Sequence, residues 1–345
     1  MTTRRAMPRQ ADIAREAGVS QATVSVVLSG NRARVRMAES TRLRVLEAAE
    51  KLGYVPDPVA TRLASSRNHM LGLYTFKTTF PTDVADSYYP ILVGVEEEAA
   101  ALGQDLILFT GRGGADRRDH DAAAIRRTRV ADGCLFFGRH VPDEAIGGLL
   151  DSGFPLVYIG RRPELDNRIP FVGADYVSAS AKVVEQLIHH GHRNIRYLRE
   201  PDDAPSSTDR ERGFRQATAG LPATVHRLDG GIDLDAWKSE GVTAVVVEET
   251  DTSTAYTAVT NALEAGNLTC PRDLSLAVLG RPPGQAGHVT GFAVPRREMG
   301  RQAVRLLVRL ITRELGQDSP AARQLLPCEP VAGTTVGPVN RGNPA

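Results

Sequence analysis

The chain has 345 residues, 41% hydrophobic and 24% charged, which suffices for a small module plus about two domains of ordinary size. Its net charge of +1 conceals an uneven distribution: residues 1–67 hold 12 basic and 6 acidic side chains, the rest 30 and 35, so the N-terminal end suits a phosphate polymer and the bulk does not. Export and membrane insertion are excluded as expectations, because no apolar run follows the basic residues 1–10 and no stretch approaches the ~20 apolar residues of a span.

In chain order, Ala11 to Gly30 reads as two short helices around a glycine turn. Ile13, Ala14 and Ala17 fall on one face of the first, and Val24, Val27 and Leu28 on one face of the second, so both bury against a shared small core. Gly18 permits the positive φ that ends the first helix, and the Ser20 hydroxyl can accept a free N–H at the start of the second. Gln21, Ala22, Ser25, Val26 and Ser29 then face outward. The pattern is a helix-turn-helix, which presents one helix to a DNA groove. Thr41 to Leu52 forms a third amphipathic helix with Val45, Leu46, Ala49 and Leu52 inward, closed by Gly53. After the break at Tyr54 to Pro58, Val59 to Ser66 is only about two turns long and has no core of its own, so DNA or a partner has to order it.

Further along, Asp132 to Phe137, Pro155 to Ile159 and Val242 to Val247 are apolar runs of strand length between helical stretches. This alternation predicts parallel sheets covered on both faces. Cys134, Cys270 and Cys328 are odd in number, widely spaced and without CxxC or His companions, so buried thiols are expected rather than disulfides or a zinc site. His120 and His140 are scattered, while His189, His190 and His192 surround a helix end. No H-E-x-x-H, G-x-S-x-G or P-loop pattern occurs, so neither catalysis, a metal nor a cofactor is expected.

Taken together, Asp12-Ile13-Ala14, Ala17-Gly18-Val19-Ser20, Ala22-Thr23-Val24-Ser25, Val27-Leu28, Thr41-Arg42, Val45-Leu46, Leu52-Gly53-Tyr54 with Pro56, and Ala60 with Leu63-Ala64 resemble, in order and spacing, the LacI/GalR family of bacterial transcription regulators. Leu71 to Tyr74 looks like the family's first body strand and Ile91 to Leu102 like its first body helix. Gly191-His192-Arg193, Arg210 with Gly213-Phe214, Gly266 with Pro271, and Gly333-Thr334-Thr335 continue the likeness over nearly the whole chain. The resemblance implies an all-α helix-turn-helix head (8–56), a hinge helix (57–67), and an α/β effector body (68–340). That body is of periplasmic-binding-protein type, with doubly wound parallel sheets in two lobes, about 68–173 with 294–325 and 174–293 with 326–340.

It also implies roles for particular residues. Gln21, Ala22, Ser25 and Val26 would face bases in the major groove; Ser20, Thr23, Asn31, Arg32 and Arg34 would meet phosphates; Ala60 and Leu63 would enter the minor groove from the hinge, with Leu63 as a wedge. At Val26 many relatives carry Arg, so a guanine-reading fork is missing here. Ala38 stands where a capping Ser is common, leaving Ser40 or the loop backbone to start the third helix. Within the body, the crevice at the strand ends would hold a small-molecule effector. Arg210 matches a common effector contact, with Asp175, Ser206, Glu249 and Asp251 as further candidates. Gly160, Gly280, Glu249-Thr250 and Val294 replace polar residues of sugar-binding relatives, which mildly favours an anionic effector held by an Arg fork. The segment Gly220 to Gly241 is shorter than the matching family stretch, which usually supplies another helix beside the cleft. The implied protein is a cytoplasmic bacterial homodimer, nucleoid-associated when bound to a pseudo-palindromic double-stranded operator, with repression as its expected action. The alternative is a constitutive or architectural DNA binder whose cleft is degenerate.

Overall fold

A computed structural model describes residues 8–28, 37–54, 67–75, 88–109, 123–138, 142–250, 252–280 and 288–339. The chain divides into two compact units, Met1–His69 and Met70–Ala345. In the first, α1 (Gln10–Ala17), α2 (Gln21–Leu28) and α3 (Glu39–Leu52) enclose Ile13, Ala14, Ala17, Val24, Val45, Ala48 and Ala49. Ile13, Val24 and Val45 are wholly buried, each contributing about 1.5–3 kcal/mol of apolar transfer energy to a core this small. Gly18 ends α1 at φ 66°, its N–H returning to the Ala14 carbonyl, and Ser20 Oγ accepts from Thr23 N at 3.1 Å.

One detail of α3 differs from expectation, and a second decides between two expected starts. Leu46 is 36% exposed and Ala48 takes its inward place, because Val45, Ala48, Ala49 and Leu52 follow the helical period whereas Leu46 lies about 100° round from Val45. Ser40 does not cap the helix. The Ala38 carbonyl starts it by accepting from Thr41 N and Arg42 N at 3.0 and 3.2 Å, with no side-chain cap.

The second unit contains two six-stranded sheets. One is built from β1 (Met70–Thr75), β2 (Asp105–Phe109), β3 (Gly133–Phe137), β4 (Leu156–Ile159), β5 (Phe171–Ala174) and β11 (Arg323–Leu326), in the order β11-β5-β4-β3-β1-β2 and parallel throughout. The other is built from β6 (Ile195–Arg199), β7 (Thr224–Arg227), β8 (Ala244–Glu248), β9 (Ser275–Leu279), β10 (Thr290–Ala293) and β12 (Glu329–Val331), in the order β12-β10-β9-β8-β6-β7. There only β12 is antiparallel. Every residue of β3, β4, β5, β8 and β9 is buried, as strands covered by helices on both faces require.

The helices of this unit include α4 (Tyr89–Ala101), α5 (Asp143–Asp151), α6 (Tyr176–His189), α7 (Pro205–Ala217), α8 (Leu234–Ser239), α9 (Thr254–Ala265) and α10 (Arg296–Ile311). Crossing from one lobe to the other occurs three times, between β5 and α6, between β10 and α10, and between β11 and β12. α10 packs on α4 so closely that a Cβ at Gly94 would meet the Arg297 carbonyl and one at Gly300 would lie 2.4 Å from the Ile91 carbonyl oxygen. Only glycine lets these two backbones touch.

The Gly220 to Gly241 segment does hold a helix, α8, but its buried Trp237 joins the packing around β6 and β8 instead of lining the crevice. Cys134 is buried, whereas Cys270 and Cys328 are only partly so. His192 is structural: Nε2 donates to the Gly337 carbonyl at 3.0 Å, which leaves Nδ1 to accept from the Thr243 hydroxyl at 2.9 Å. Among the described residues, no helix is long and apolar enough to cross a membrane.

Candidate nucleic-acid interface and ligand cleft

In the first unit the α2 face opposite the core is set by Val24, Val27 and Leu28, which pack inward. Gln21 and Ala22 are exposed, and Thr23, Ser25 and Val26 are partly exposed. The Ser20 and Thr23 hydroxyls lie 2.9 Å apart, so the two expected phosphate contacts sit together at the helix start, where backbone N–H groups also favour an anion. Lys51 Nζ donates to Glu16 at 2.6 Å and ties α3 to α1, away from this face. Asn31, Arg32, Arg34, Ala60 and Leu63 lie outside the described residues.

In the second unit, a cleft opens at the carboxyl ends of β4 and β8 and at the N-terminal turn of α7, where α/β sheets place ligands. Its free space is about 110 Å³. Arg210 lies in its wall with 3% exposure, its Nε donating to the Leu279 carbonyl at 2.8 Å and Nη1 to the Ser206 carbonyl at 3.3 Å. The guanidinium carbon stands 4.0 Å from the centre of the Tyr176 ring, and Nη2 is 3.5 Å from Glu249. Burial opposes the charge, but Tyr176, Glu248 and Glu249 outweigh it and hold the pKa above the ordinary arginine value. Arg210 is therefore a fixed wall of the cleft, with partners all in its own lobe.

Of the other expected effector contacts, Ser206 and Glu249 line the cleft. Asp175 does not, because its carboxylate caps α6 by accepting from Ser178 N at 3.0 Å. Asp251 is outside the described residues. The two glycines singled out in the sequence behave differently. A Cβ at Gly160 would meet open space, whereas one at Gly280 would lie 2.5 Å from Glu249 Cβ. Glu249 thus uses the room beside residue 280, and the cleft keeps an acid there from a different strand end.

Sequence reasoning missed Arg161, Arg162, Asp209 and Arg296. All four line the cleft. Arg161 grips Asp209 with two hydrogen bonds, Nε to Oδ2 at 2.5 Å and Nη2 to Oδ1 at 2.8 Å. Arg296 Nη2 lies 3.1 Å from each Glu249 carboxylate oxygen. Arg162 stacks 4.3 Å above the Tyr158 ring and donates to the Gly138 carbonyl. The signal was position: Arg161 and Arg162 come just after Gly160, at the end of the buried strand β4.

Comparison with known proteins agrees with this architecture. The family model described as bacterial regulatory proteins, lacI family, matches residues 11–57. One for periplasmic binding proteins and the sugar binding domain of the LacI family matches 77–229, and one for a periplasmic binding protein-like domain matches 184–336. Catabolite control protein A of Priestia megaterium is 30% identical over 325 residues, covering 88% of this chain and 92% of that one. The HTH-type transcriptional regulator CelR of Thermobifida fusca is 27% identical over 329 residues, covering 90% and 94%. Among solved structures, a CelR–cellobiose complex superimposes with a TM-score of 0.63 at 25% identity, covering 95% of this chain and 99% of that one. The lac repressor dimer bound to operator and the anti-inducer ONPF gives 0.72 at 20% identity, covering 96% and 100%, a likeness of fold. The chain belongs to the LacI family of bacterial regulatory proteins and is a DNA-binding transcription regulator, not an enzyme.

Proposed function

We propose that this regulator binds a pseudo-palindromic operator as a homodimer and that a small anionic molecule in the interlobe cleft sets its affinity for that DNA. The head (8–56) reads bases with Gln21, Ala22, Ser25 and Val26. Ser20, Thr23, Asn31, Arg32 and Arg34 hold phosphates, and the hinge (57–67) delivers Ala60 and Leu63 to the minor groove. The two-lobed body (68–340) senses the effector and pairs the protomers. Pairing is supported by Leu102 and Leu108, 41% and 49% exposed on α4's end and the edge strand β2. Its place of action is the bacterial cytoplasm, at the nucleoid when bound.

One observation carries the effector reading: among the described residues, four guanidinium groups, of Arg161, Arg162, Arg210 and Arg296, line the cleft with two carboxylates, Asp209 and Glu249. Such an excess suits a carboxylate or phosphate better than an uncharged sugar. A thermal-shift panel of organic acids, sugar phosphates, nucleotides and neutral sugars tests this, with cellobiose, the ligand of the CelR complex, as the neutral control. A molecule at 100 times its Kd raises stability by about 2.7 kcal/mol, well within detection. The expected strongest binder carries an anionic group and also changes DNA affinity. A neutral sugar at the top of the panel would reject the anionic reading, and a panel without any effect on melting or DNA affinity would favour a constitutive binder.

A further inference from the structure

Arg161 follows β4 in the lobe of the first sheet, and Asp209 lies on α7 in the lobe of the second. Their pair is the planar, bidentate kind that fixes geometry as well as charge. It is also withdrawn from water, with the side chains 19% and 4% exposed, so salt screens it little. Asp209 takes a further hydrogen bond from Arg212 Nη2 at 2.9 Å, which anchors the carboxylate to its own helix while Arg161 reaches it from the opposite lobe. The free space left beside the pair, about 110 Å³, is below the roughly 300 Å³ at which small-molecule pockets begin. The cleft is narrowed by its own side chains.

We propose that Arg161 and Asp209 form an interlobe latch that holds the cleft closed. The lobes are joined by three crossings, so their motion is a hinge about those strands, and an ion pair at the mouth opposes it. Any occupant larger than the present free space has to part the pair on entry. This last consequence depends on the cleft being the effector site; the latch itself does not.

Hydrogen–deuterium exchange on the full-length, ligand-free protein tests the latch. Asp209→Asn and Arg161→Gln each remove the ion pair with little change in volume. Each single variant is expected to exchange about fivefold faster or more, both at 204–208 and at 88–92, which lines the cleft at another position. Native rates at 88–92 in both single variants would overturn the proposal. If circular dichroism shows one single variant unfolded, the other decides alone. Because nothing is added to the protein, a metabolite panel in which nothing binds would reject the effector reading and leave this result standing.

Discussion

Arg210 shows what a single residue in this cleft can and cannot do. Its sequence context marks it as an effector contact, yet its Nε and Nη1 serve backbone carbonyls and its Nη2 faces Glu249. Removing it takes from the buried Glu248 its strongest cationic neighbour, while Glu249 keeps Arg296. Arg210→Met is therefore expected to destabilise the body by about 3–5 kcal/mol, the usual cost of breaking a buried charge pair, as read by urea unfolding. Loss of less than about 1 kcal/mol would mean that water or Arg296 replaces it. Gly280 is the second sensitive point, with φ at 145° and no room for a Cβ beside Glu249. Gly280→Ala should cost about 1–3 kcal/mol through backbone strain and crowding, measured in the same way. Gly280 could be picked out in the sequence because it lies at a strand end, and Arg210 because it matches a landmark of the family. The partnership of Arg161 with Asp209 could not, since it joins residues 48 apart from different lobes, and nothing local in the chain encodes it.

Among elements, the packing of α4 on α10 carries pH-dependent chemistry. Glu97 of α4 accepts from Arg297 and Arg301 of α10, and Glu98 accepts from Arg305 at 2.8 and 2.9 Å. The hydrogen bond from Arg297, then that from Arg301, hold the Glu97 carboxyl down at about 2, against an ordinary value of 4.5. A carboxyl depressed on folding contributes stability that is present above its unfolded pKa and is lost as pH falls through its folded one. The melting temperature should thus drop between about pH 4.5 and 2, and Glu97→Gln should flatten that part of the profile. An unchanged profile would show that the clamp does not form in solution.

The helices themselves could be read from hydrophobic period, as with Val24, Val27 and Leu28, and the buried strands from their apolar runs. Leu46 was misplaced because a leucine beside an inward valine satisfies composition while missing the period by one step. Asp175 was misread for a related reason. A carboxylate just after a strand suits a ligand, but it equally caps the helix that follows.

At the scale of the whole molecule, two functions sit on opposite charges. The head region is basic and the remainder acidic, so DNA affinity should fall steeply with salt, the logarithmic slope steepening by about 0.9 per neutralised phosphate. Arg34→Gln should reduce that slope by about one such unit, whereas the uncharged change Gln21→Ala should alter sequence preference and leave the slope alone. Architecture was readable at this scale because strands and helices alternate through most of the described residues from Met70 onward. The content of the cleft was not, because its charges come from separate strand ends and helices that only the folded lobes bring together. The most direct measurement is selection of duplexes from a random-sequence library by the purified full-length protein at fixed salt, followed by sequencing. The expected result is an enriched site with two inverted half-sites, bound about 10³-fold or more tightly than unselected DNA. An unenriched library, with every duplex bound equally, would contradict the account of this protein as an operator-reading regulator.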